Sequence, residues 1–141
     1  MICEMCSNKL RTQHKLNRRA DMEVRLNKRE IGTRYEQKAA KFLVTNGYRI
    51  LDSNFRCRTG EIDLIGRDGD YLCFIEVKYR INTGHGFPAE AVNARKMTRI
   101  IRTAQYYMLT HGLPQDTPCR FDVVVILDHD ISLIKNAFDG I

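Results

Sequence analysis

Two strand-like segments separated by a tight-turn signal constrain this sequence more than any other feature. Residues 60–67 and 71–80 are both rich in apolar residues, and the tetrapeptide RDGD lies between them at 67–70. An Asp-Gly pair between two strand patterns is the strongest short-range sign of a β-hairpin. With Asp-Gly as the two turn residues, the numbers of opposing residues are predicted to sum to 137.

This register predicts a cluster of charged side chains in the middle of the hairpin. Glu61 would lie opposite Glu76 on the neighbouring strand. Because side chains alternate along a strand, Asp63 and Lys78 would emerge on the same face as these two. The hairpin is therefore expected to gather three carboxylates and one ammonium group on adjacent strands.

Such a cluster points to metal-assisted chemistry. Carboxylates held close together in a half-buried position cost stability unless a cation compensates them. Carboxylate oxygens suit Mg²⁺ or Mn²⁺, which also bind phosphate oxygens, and we expect the Val77 carbonyl to reach the same ion as Asp63 and Glu76. The metal would lower the pKa of a bound water, and Lys78 would orient that water or stabilise the transition state. This combination is what phosphodiester hydrolysis requires.

The same charges also have a structural interpretation, in which they form a mixed, ion-paired face on an exposed edge hairpin. Glu76 and Lys78, however, interrupt residues 72–78, a run that is otherwise apolar on both faces. A carboxylate enters such a run only at a cost in free energy. The run therefore favours a functional site over a solvated surface.

The remaining patterns predict an α/β domain in the order α-β-β-β-α-β. Thr33 and Glu36 match a capping box, which would start the first helix, and Asn46-Gly47 would end it. Asp122 lies inside an apolar strand and needs a partner, for which Arg120 is a candidate. The other predicted elements are strands at 48–56, 60–67, 71–80 and 121–126, a helix at 89–111, and an edge strand at 131–134.

The second predicted helix has an apolar stripe and a basic ridge on its other side. The ridge consists of Arg95, Lys96, Arg99 and Arg102. It can follow a phosphate backbone, although a solvated helix face is the alternative interpretation. His85, in a glycine-flanked loop before this helix, is a candidate for contact with substrate, although a histidine in a flexible loop is more often a bystander. The apolar stripe consists of Met97, Ile100, Ile101, Ala104 and Met108. The expected nucleic-acid-binding residues are Arg80, His85, Arg95, Lys96, Arg99 and Arg102.

Residues 1–30 differ from the rest of the chain in charge. They carry 8 basic and 4 acidic side chains, which supply +4 of the formal net charge of +6. They have no sustained periodicity, so we expect a loosely ordered basic arm with at most a helical turn, followed by the domain at 31–141. A basic arm favours polyanions, because neutralising phosphates releases counterions.

Cysteine usage and hydropathy bear on location and on metals. Five cysteines and no secretory signal indicate free thiols and a cytoplasmic protein, and no apolar stretch is long enough to span a bilayer. Cys73 reads as a small buried hydrophobic residue. Cys3 and Cys6 form a C-x-x-C pair followed by His14, so a zinc adaptor is an alternative. It lacks a complete set of four ligands.

Asp63, followed on the next strand by Glu76-Val77-Lys78, resembles the PD-(D/E)xK motif of the restriction-endonuclease-like nuclease superfamily. Within that superfamily the chain looks most similar to the YraN-like group of small bacterial proteins. The resemblance covers about residues 31–139. Its matching segments are residues 60–65, 74–80, 119–124 and 135–138.

The resemblance implies a fold and a set of site residues. The fold would be a central mixed β-sheet flanked by helices, with Asp63 and Glu76 as metal ligands and Lys78 as the catalytic lysine. Small resolvase-like relatives also use an acidic residue from the first helix, and Glu36 matches it. That role is compatible with capping the helix. Glu61 would be a further ligand, or would position one.

The implied function is a Mg²⁺- or Mn²⁺-dependent endonuclease that hydrolyses DNA, with branched or single-stranded DNA as the substrate by analogy with resolvases. The alternative is a non-catalytic nucleic-acid-binding or assembly factor that keeps the nuclease fold. The expected partner is nucleic acid rather than a membrane, and a homodimer is allowed for.

Overall fold

The chain forms a five-stranded mixed sheet with helical residues on both faces. The computed structural model describes residues 4–80 and 93–140. The strands follow one another across the sheet in the order β1-β2-β3-β4-β5, and only β3 and β4 are parallel. The predicted α/β class and element order are confirmed, with the edge strand as β5. The elements are α1 (Glu4–Thr45), β1 (Arg49–Cys57), β2 (Gly60–Asp68), β3 (Tyr71–Arg80), α2 (Ala94–Thr110), β4 (Cys119–Leu127) and β5 (Asp130–Ile134).

The alternation of side chains along β3 creates two cores. Leu72 and Phe74 pack under α2, whereas Cys73 and Ile75 pack under the last turns of α1. Because a parallel pair needs a long crossover, α2 connects β3 to β4 and covers one face of the sheet on the way. The burial of Cys73 is confirmed, as is the apolar stripe of the second helix. The helices contribute Ile100, Ala104, Tyr107 and Met108 to the first core and Ala39 and Leu43 to the second.

The first helix starts much earlier than the sequence predicted. It begins at Glu4, so the backbone of residues 4–30 is helical rather than irregular. The Thr33 hydroxyl donates to the Arg29 carbonyl at 2.9 Å, one turn back, and therefore does not cap a helix. Good helix formers such as Leu, Lys, Arg, Glu and Met supply local propensity here, but a polar helix without an apolar stripe gives no periodic signal.

The chain divides into two compact units, Met1–Arg34 and Tyr35–Ile141. This division lies close to the boundary predicted between residues 30 and 31, and the roles of arm and domain stay predictions. Among the residues that the structure describes, no helix has the length and hydropathy needed to cross a membrane.

The β2–β3 hairpin turns one residue later than predicted, which shifts the pairing register by two residues. Leu64 pairs with Ile75 and Asp68 with Tyr71, so opposing numbers sum to 139 rather than 137. The two turn residues are therefore Gly69 and Asp70, and Gly69 has a φ of 58°. Glycine at the first turn position with positive φ is typical of a type II′ turn, which competes with the Asp-Gly type I′ turn. An even shift leaves the faces of a regular strand unchanged.

The second helix begins at Ala94, five residues after its predicted start at Ala89. Asn93 is its N-cap: its backbone is extended, and its side chain accepts a hydrogen bond from the Lys96 N–H. Asparagine is a strong capping residue because its side-chain oxygen satisfies a backbone donor of the first turn. Apolar residues before Asn93 extend the helical pattern toward the N-terminus, which is why the sequence predicts an earlier helix start. Residues 89–92 and His85 lie outside the described ranges.

Candidate active site

Asp63 lies where β2 and β3 stop pairing. The last pair of the β2–β3 ladder is Leu64 with Ile75. Two residues further along β3, the N–H of Val77 donates to the Asp63 carboxylate at 2.8 Å. Ile62 packs under α2 and Leu64 under α1, so β2 changes faces across Asp63. The strict alternation assumed for Asp63 is therefore wrong. Its side chain instead turns toward the backbone of β3.

The environment of Asp63 disfavours its ionised form. Burial, followed by the negative charge of Glu76, raises the pKa of Asp63 to about 7, although the hydrogen bond from Val77 works in the opposite direction. The charge of Glu36 raises this pKa further. Asp63 is therefore close enough to Glu76 and to Glu36 for both to repel its ionised form.

Glu36 reaches this region from α1. Its Oε2 atom is buried and has no hydrogen-bond partner among the residues that the structure describes. A buried carboxylate oxygen without a donor is costly, so it calls for a ligand or an ion as partner. The alternative role as a capping-box residue is wrong, because α1 does not begin at Thr33.

Glu76 is buried on β3 and is held by two ammonium groups. Its Oε1 lies 3.0 Å from Lys78 Nζ and also accepts from Lys96 Nζ. Burial, and then the neighbouring Lys96, lower the pKa of Lys78. Burial also acts to lower the pKa of Lys96, but its hydrogen bond to Glu76 acts in the opposite direction, and the net effect is a raised pKa. Glu76 and Lys78 thus meet as predicted, together with a second lysine.

The contact between Lys96 and Glu76 was not foreseen. The sequence placed Lys96 only on the basic ridge of the second helix, because its helical neighbours are Arg95 and Arg99. Lys96 lies in the first turn of α2, next to the N-cap Asn93, and this turn faces the buried part of β3. Asn93 as the N-cap is the signal that places Lys96 in the first turn of the helix, and this position distinguishes it from the other basic residues of the ridge.

Glu61 is not brought into this cluster by any contact among the described residues. Its side chain is 64% exposed and lies 3.3 Å from Arg56 Nε on β1. The register correction removes its predicted pairing with Glu76, because Leu64 already lies opposite Ile75. A role for Glu61 in metal binding stays a prediction.

The expected nucleic-acid-binding residues are distributed over the surface around α2. Arg95, Arg99 and Arg102 are exposed on this helix, and Arg80 is exposed at the end of β3. These positions agree with a solvent-facing ridge, which is compatible with either of its two interpretations. No described contact joins these arginines to the carboxylate cluster.

Asp122 belongs to a structural network on the opposite face of the sheet from Glu76. It is 1% exposed and accepts from Arg120 Nε at 2.8 Å, from the Tyr48 hydroxyl at 2.9 Å and from the Asn136 N–H at 2.9 Å. The predicted partnership with Arg120 is confirmed. The network satisfies the buried charge and fixes the segment after β5, so Asp122 has no free oxygen to offer a substrate.

A divalent metal is the partner that the carboxylate chemistry suggests. Within residues 4–80 and 93–140, no three His, Cys, Asp or Glu side chains lie close enough together to hold a metal ion as they stand. The donor types nevertheless fit, because Asp63, Glu76 and the unpartnered Glu36 oxygen are hard oxygen ligands. Both ammonium contacts of Glu76 are made by Oε1, so Oε2 is the oxygen that this residue would offer to a metal.

Comparison with known proteins identifies relatives over most of the chain. Residues 35–126 match a sequence model described as "Uncharacterised protein family UPF0102". A UPF0102 protein of Lachnoclostridium phytofermentans is 54% identical over 115 residues, covering 82% of this chain and 98% of the relative. UPF0102 proteins of Acetivibrio thermocellus and Persephonella marina are 48% and 43% identical, covering 79% and 77% of this chain and 93% and 92% of the relatives.

Proposed function

The chain belongs to the uncharacterised protein family UPF0102, the YraN-like group that its motifs resemble, and we propose that it is a metal-dependent DNA endonuclease with a restriction-endonuclease-like fold. The mixed sheet with helices on both faces supports the fold, and the carboxylates at the diverging end of β2 and β3 support the activity.

The observation that carries the proposal is the carboxylate cluster. Asp63 is partly buried beside Glu76, and a buried oxygen of Glu36 has no described partner. A protein that needed only a stable core would not keep such repulsion, because clustered charges of one sign cost stability. Clusters of this kind are typical of sites where function is maintained at the expense of stability.

Asp63, Glu76 and Glu36 would hold Mg²⁺ or Mn²⁺, with the Val77 carbonyl as a further candidate ligand. When bound, the metal supplies an activated water and offsets charge on the phosphate. Glu61 is a weaker candidate because of its exposed pair with Arg56.

The protein's own groups position the substrate. Lys78 holds Glu76 at 3.0 Å, and its partly buried ammonium group can donate to a phosphate oxygen at the same place. Burial lowers the pKa of Lys78 from its ordinary value. The exposed guanidinium groups of Arg95, Arg99 and Arg102 would bind the flanking backbone.

Cleavage of a DNA panel tests this proposal. Single-stranded, duplex, flap and four-way substrates are incubated with Mg²⁺ or Mn²⁺ and wild-type protein, Asp63→Asn or Asp70→Asn. Asp70 lies exposed in the same hairpin, so Asp70→Asn is a matched control for the loss of one carboxylate. We expect metal-dependent cleavage by wild type and Asp70→Asn, and none by Asp63→Asn. Equal activity of all three would reject the assigned site.

The second candidate function is a non-catalytic nucleic-acid-binding or assembly factor. One observation favours it: Glu76 already has two ammonium partners, Lys78 and Lys96, so its charge is compensated without a metal. Calorimetric titration with Mn²⁺ separates the candidates. A nuclease should bind the ion in a way that Asp63→Asn abolishes. A binding factor should show no Asp63-dependent uptake while still binding DNA.

A further inference from the structure

A cavity of about 620 Å³ lies between the turn that joins β1 to β2 and the first turns of α2. It adjoins the carboxylate site, because Lys96 both lines the cavity and contacts Glu76. The volume is within the range of small-ligand pockets in general. Its basic lining residues are Arg56, Arg58, Arg95, Lys96 and Arg99.

The two walls of this cavity are fixed to each other. The hydroxyls of Thr59 on the turn and Thr103 on α2 are 3.0 Å apart. A Cβ atom at Gly60 would lie 3.1 Å from the Thr103 hydroxyl oxygen, so a glycine lets the turn approach the helix this closely. Cys57, at the end of β1, is hydrogen-bonded to Thr59 at 2.9 Å. The arginines of the turn and the helix therefore converge on one space defined by rigid backbone.

The charges around the cavity are only partly compensated. Arg56 pairs with Glu61, and Lys96 pairs with Glu76. Arg58, Arg95 and Arg99 form no ion pair with any carboxylate in the described part of the chain. Glu61 is the one acidic residue among the described lining residues, and it is paired with Arg56. The three guanidinium groups without such a partner favour an anion with several oxygens, and phosphate matches their planar donors.

We propose that this cavity binds backbone phosphates of an unpaired DNA strand next to the carboxylate site. Its role in cleavage rests on the proposed function, but its binding of phosphate does not. A duplex presents its phosphates on a stiff convex surface, whereas an unpaired strand can bend into a cavity walled by a turn and a helix. None of the described lining residues is aromatic, so binding comes from phosphate contacts rather than base stacking and has little sequence preference.

This cavity and the basic ridge of α2 share Arg95, Lys96 and Arg99. Only the cavity includes Arg56 and Arg58, and only the ridge includes Arg102. Because Arg56 is paired with Glu61, substituting Arg58 and Arg102 identifies which surface the strand follows. Arg49→Gln, at the opposite end of β1 and exposed, makes the same change in charge away from both surfaces.

The test measures binding of an oligothymidylate of about 20 nucleotides to the full chain in EDTA, by fluorescence anisotropy across a salt series. Arg58→Gln and Arg99→Gln should each lower the salt slope by about 0.7, which is about a fivefold weaker Kd at about 0.1 M salt. Arg102→Gln should lose less than half as much on a logarithmic scale, and Arg49→Gln should match wild type. Thermal unfolding confirms that each variant is folded.

Cys57 provides an independent readout, since it lines the cavity and Cys73 is buried in the core. Alkylation of Cys57 in the folded protein is followed by mass spectrometry of its peptide, with the Cys73 peptide as the reference. The oligonucleotide should slow this alkylation at least threefold. Duplex DNA at the same total concentration of phosphate groups, or inorganic phosphate alone, should protect Cys57 much less. Equal protection by free phosphate would reduce the cavity to a general anion site and overturn the strand proposal.

The outcomes separate this proposal from the nuclease proposal. Wild-type binding by Arg58→Gln, with a large loss in Arg102→Gln, would place the strand on the ridge and reject the cavity, whatever the cleavage assays give. Loss of binding in Arg58→Gln, together with no metal-dependent cleavage of any substrate, would support the cavity and reject the nuclease.

Discussion

The carboxylate of Asp63 accepts a 2.8 Å hydrogen bond from the N–H of Val77, the residue between Glu76 and Lys78. This bond attaches the Asp63 side chain directly to the backbone that carries the other two charged groups. Their relative positions are therefore set by strand backbone rather than by a loop, which is how precise sites are usually supported. The bond occupies one oxygen of Asp63 and leaves the other for a cation or a proton.

Asp63→Asn should stabilise the metal-free protein while abolishing cleavage. The asparagine oxygen can still accept from Val77, but the repulsion with Glu76 and Glu36 is removed. At pH 8 we expect a gain of up to about 4 kcal/mol, seen as a rise in Tm. Added Mg²⁺ should raise the Tm of wild type by linkage and do little for the variant.

Thermal unfolding with and without Mg²⁺ measures both effects, and Asp70→Asn serves as the exposed control in the same hairpin. A destabilised Asp63→Asn, combined with a wild type that ignores the metal, would mean that the Asp63 carboxylate has a structural role. The metal assignment would then be wrong.

The stability of the metal-free protein should fall as pH rises from about 4 to about 7. The pKa of Asp63 is about 7 in the folded chain and about 4 when unfolded, so the native state holds the extra proton in that interval. Stability decreases with pH wherever the native state binds more protons, and a difference of about three pKa units corresponds to at most about 4 kcal/mol. Urea unfolding of wild type and Asp63→Asn in EDTA at several pH values measures it.

The difference in free energy of unfolding between the two proteins isolates this group, because all other titrations are shared. The advantage of Asp63→Asn should be near zero at pH 4 and should grow up to pH 7–8. A difference that stays constant with pH would show that Asp63 ionises normally in the fold.

Lys78 and Lys96 should substitute for each other in compensating Glu76. Both ammonium groups contact the same Oε1 atom, so either lysine alone can keep the buried carboxylate paired. Lys78→Met and Lys96→Met should each cost about 1 kcal/mol or less, because each leaves the other lysine in place. The double variant should cost about 3 kcal/mol or more, since it leaves a buried unpaired charge.

A double-mutant cycle measured by chemical denaturation gives this coupling. Repeating the cycle in a Glu76→Gln background is the control, because the coupling should disappear once the carboxylate is neutral. Additive losses in the wild-type background would mean that one of the two lysine contacts contributes nothing to stability.

Local signals in the sequence predicted the hairpin, the sheet elements and the residues around Glu76, because alternation and the turn dipeptide act over short distances. The register was wrong by two residues, since Gly69 also fits the first position of a competing turn. The position of Asp63 was wrong for a different reason. β2 changes faces between Ile62 and Leu64, and no residue type there marks the change.

Two features could not be predicted by periodicity at all. In the polar helix of residues 4–30, side chains 13–30 are all exposed, so they form no buried face that would generate a 3.6-residue pattern, and only summed propensity favours a helix there. The contact between Lys96 and Glu76 joins residues twenty positions apart on different elements, and it depends on where α2 starts. Such tertiary relationships arise from packing rather than from any local pattern.

Arg120→Met should destabilise the fold far more than Asp68→Asn. Arg120 donates to Asp122, which is fully buried, so removing the guanidinium leaves an uncompensated charge inside the sheet. Breaking a buried pair from one side costs about 3–5 kcal/mol. Asp68 pairs with Arg120 and Lys135 closer to solvent, where such pairs contribute about 1 kcal/mol or less.

Guanidinium chloride unfolding of both variants gives the comparison, and Asp122→Asn in the Arg120→Met background tests its cause. Neutralising Asp122 should recover part of the loss. If Arg120→Met costs no more than Asp68→Asn, the network does not depend on compensation of the buried charge.

Deleting residues 1–30 should leave the melting temperature nearly unchanged and weaken the salt dependence of DNA binding. Side chains 13–31 are all exposed, so the loss of residues 13–30 removes little buried apolar surface. The shortened α1 would begin near Thr33, whose hydroxyl is then free to cap the helix with Glu36 as in a capping box. The removed segment carries +4, so each phosphate contact it makes on duplex DNA should reduce the salt slope by about 0.9.

Differential scanning calorimetry and a salt titration of DNA binding measure the two effects on the same protein. A variant with residues 1–30 present but four of its basic residues changed to glutamine is the control, because it should match the deletion in salt slope. A drop of many degrees in the deleted protein alone would mean that the segment supports the fold through packing rather than through charge.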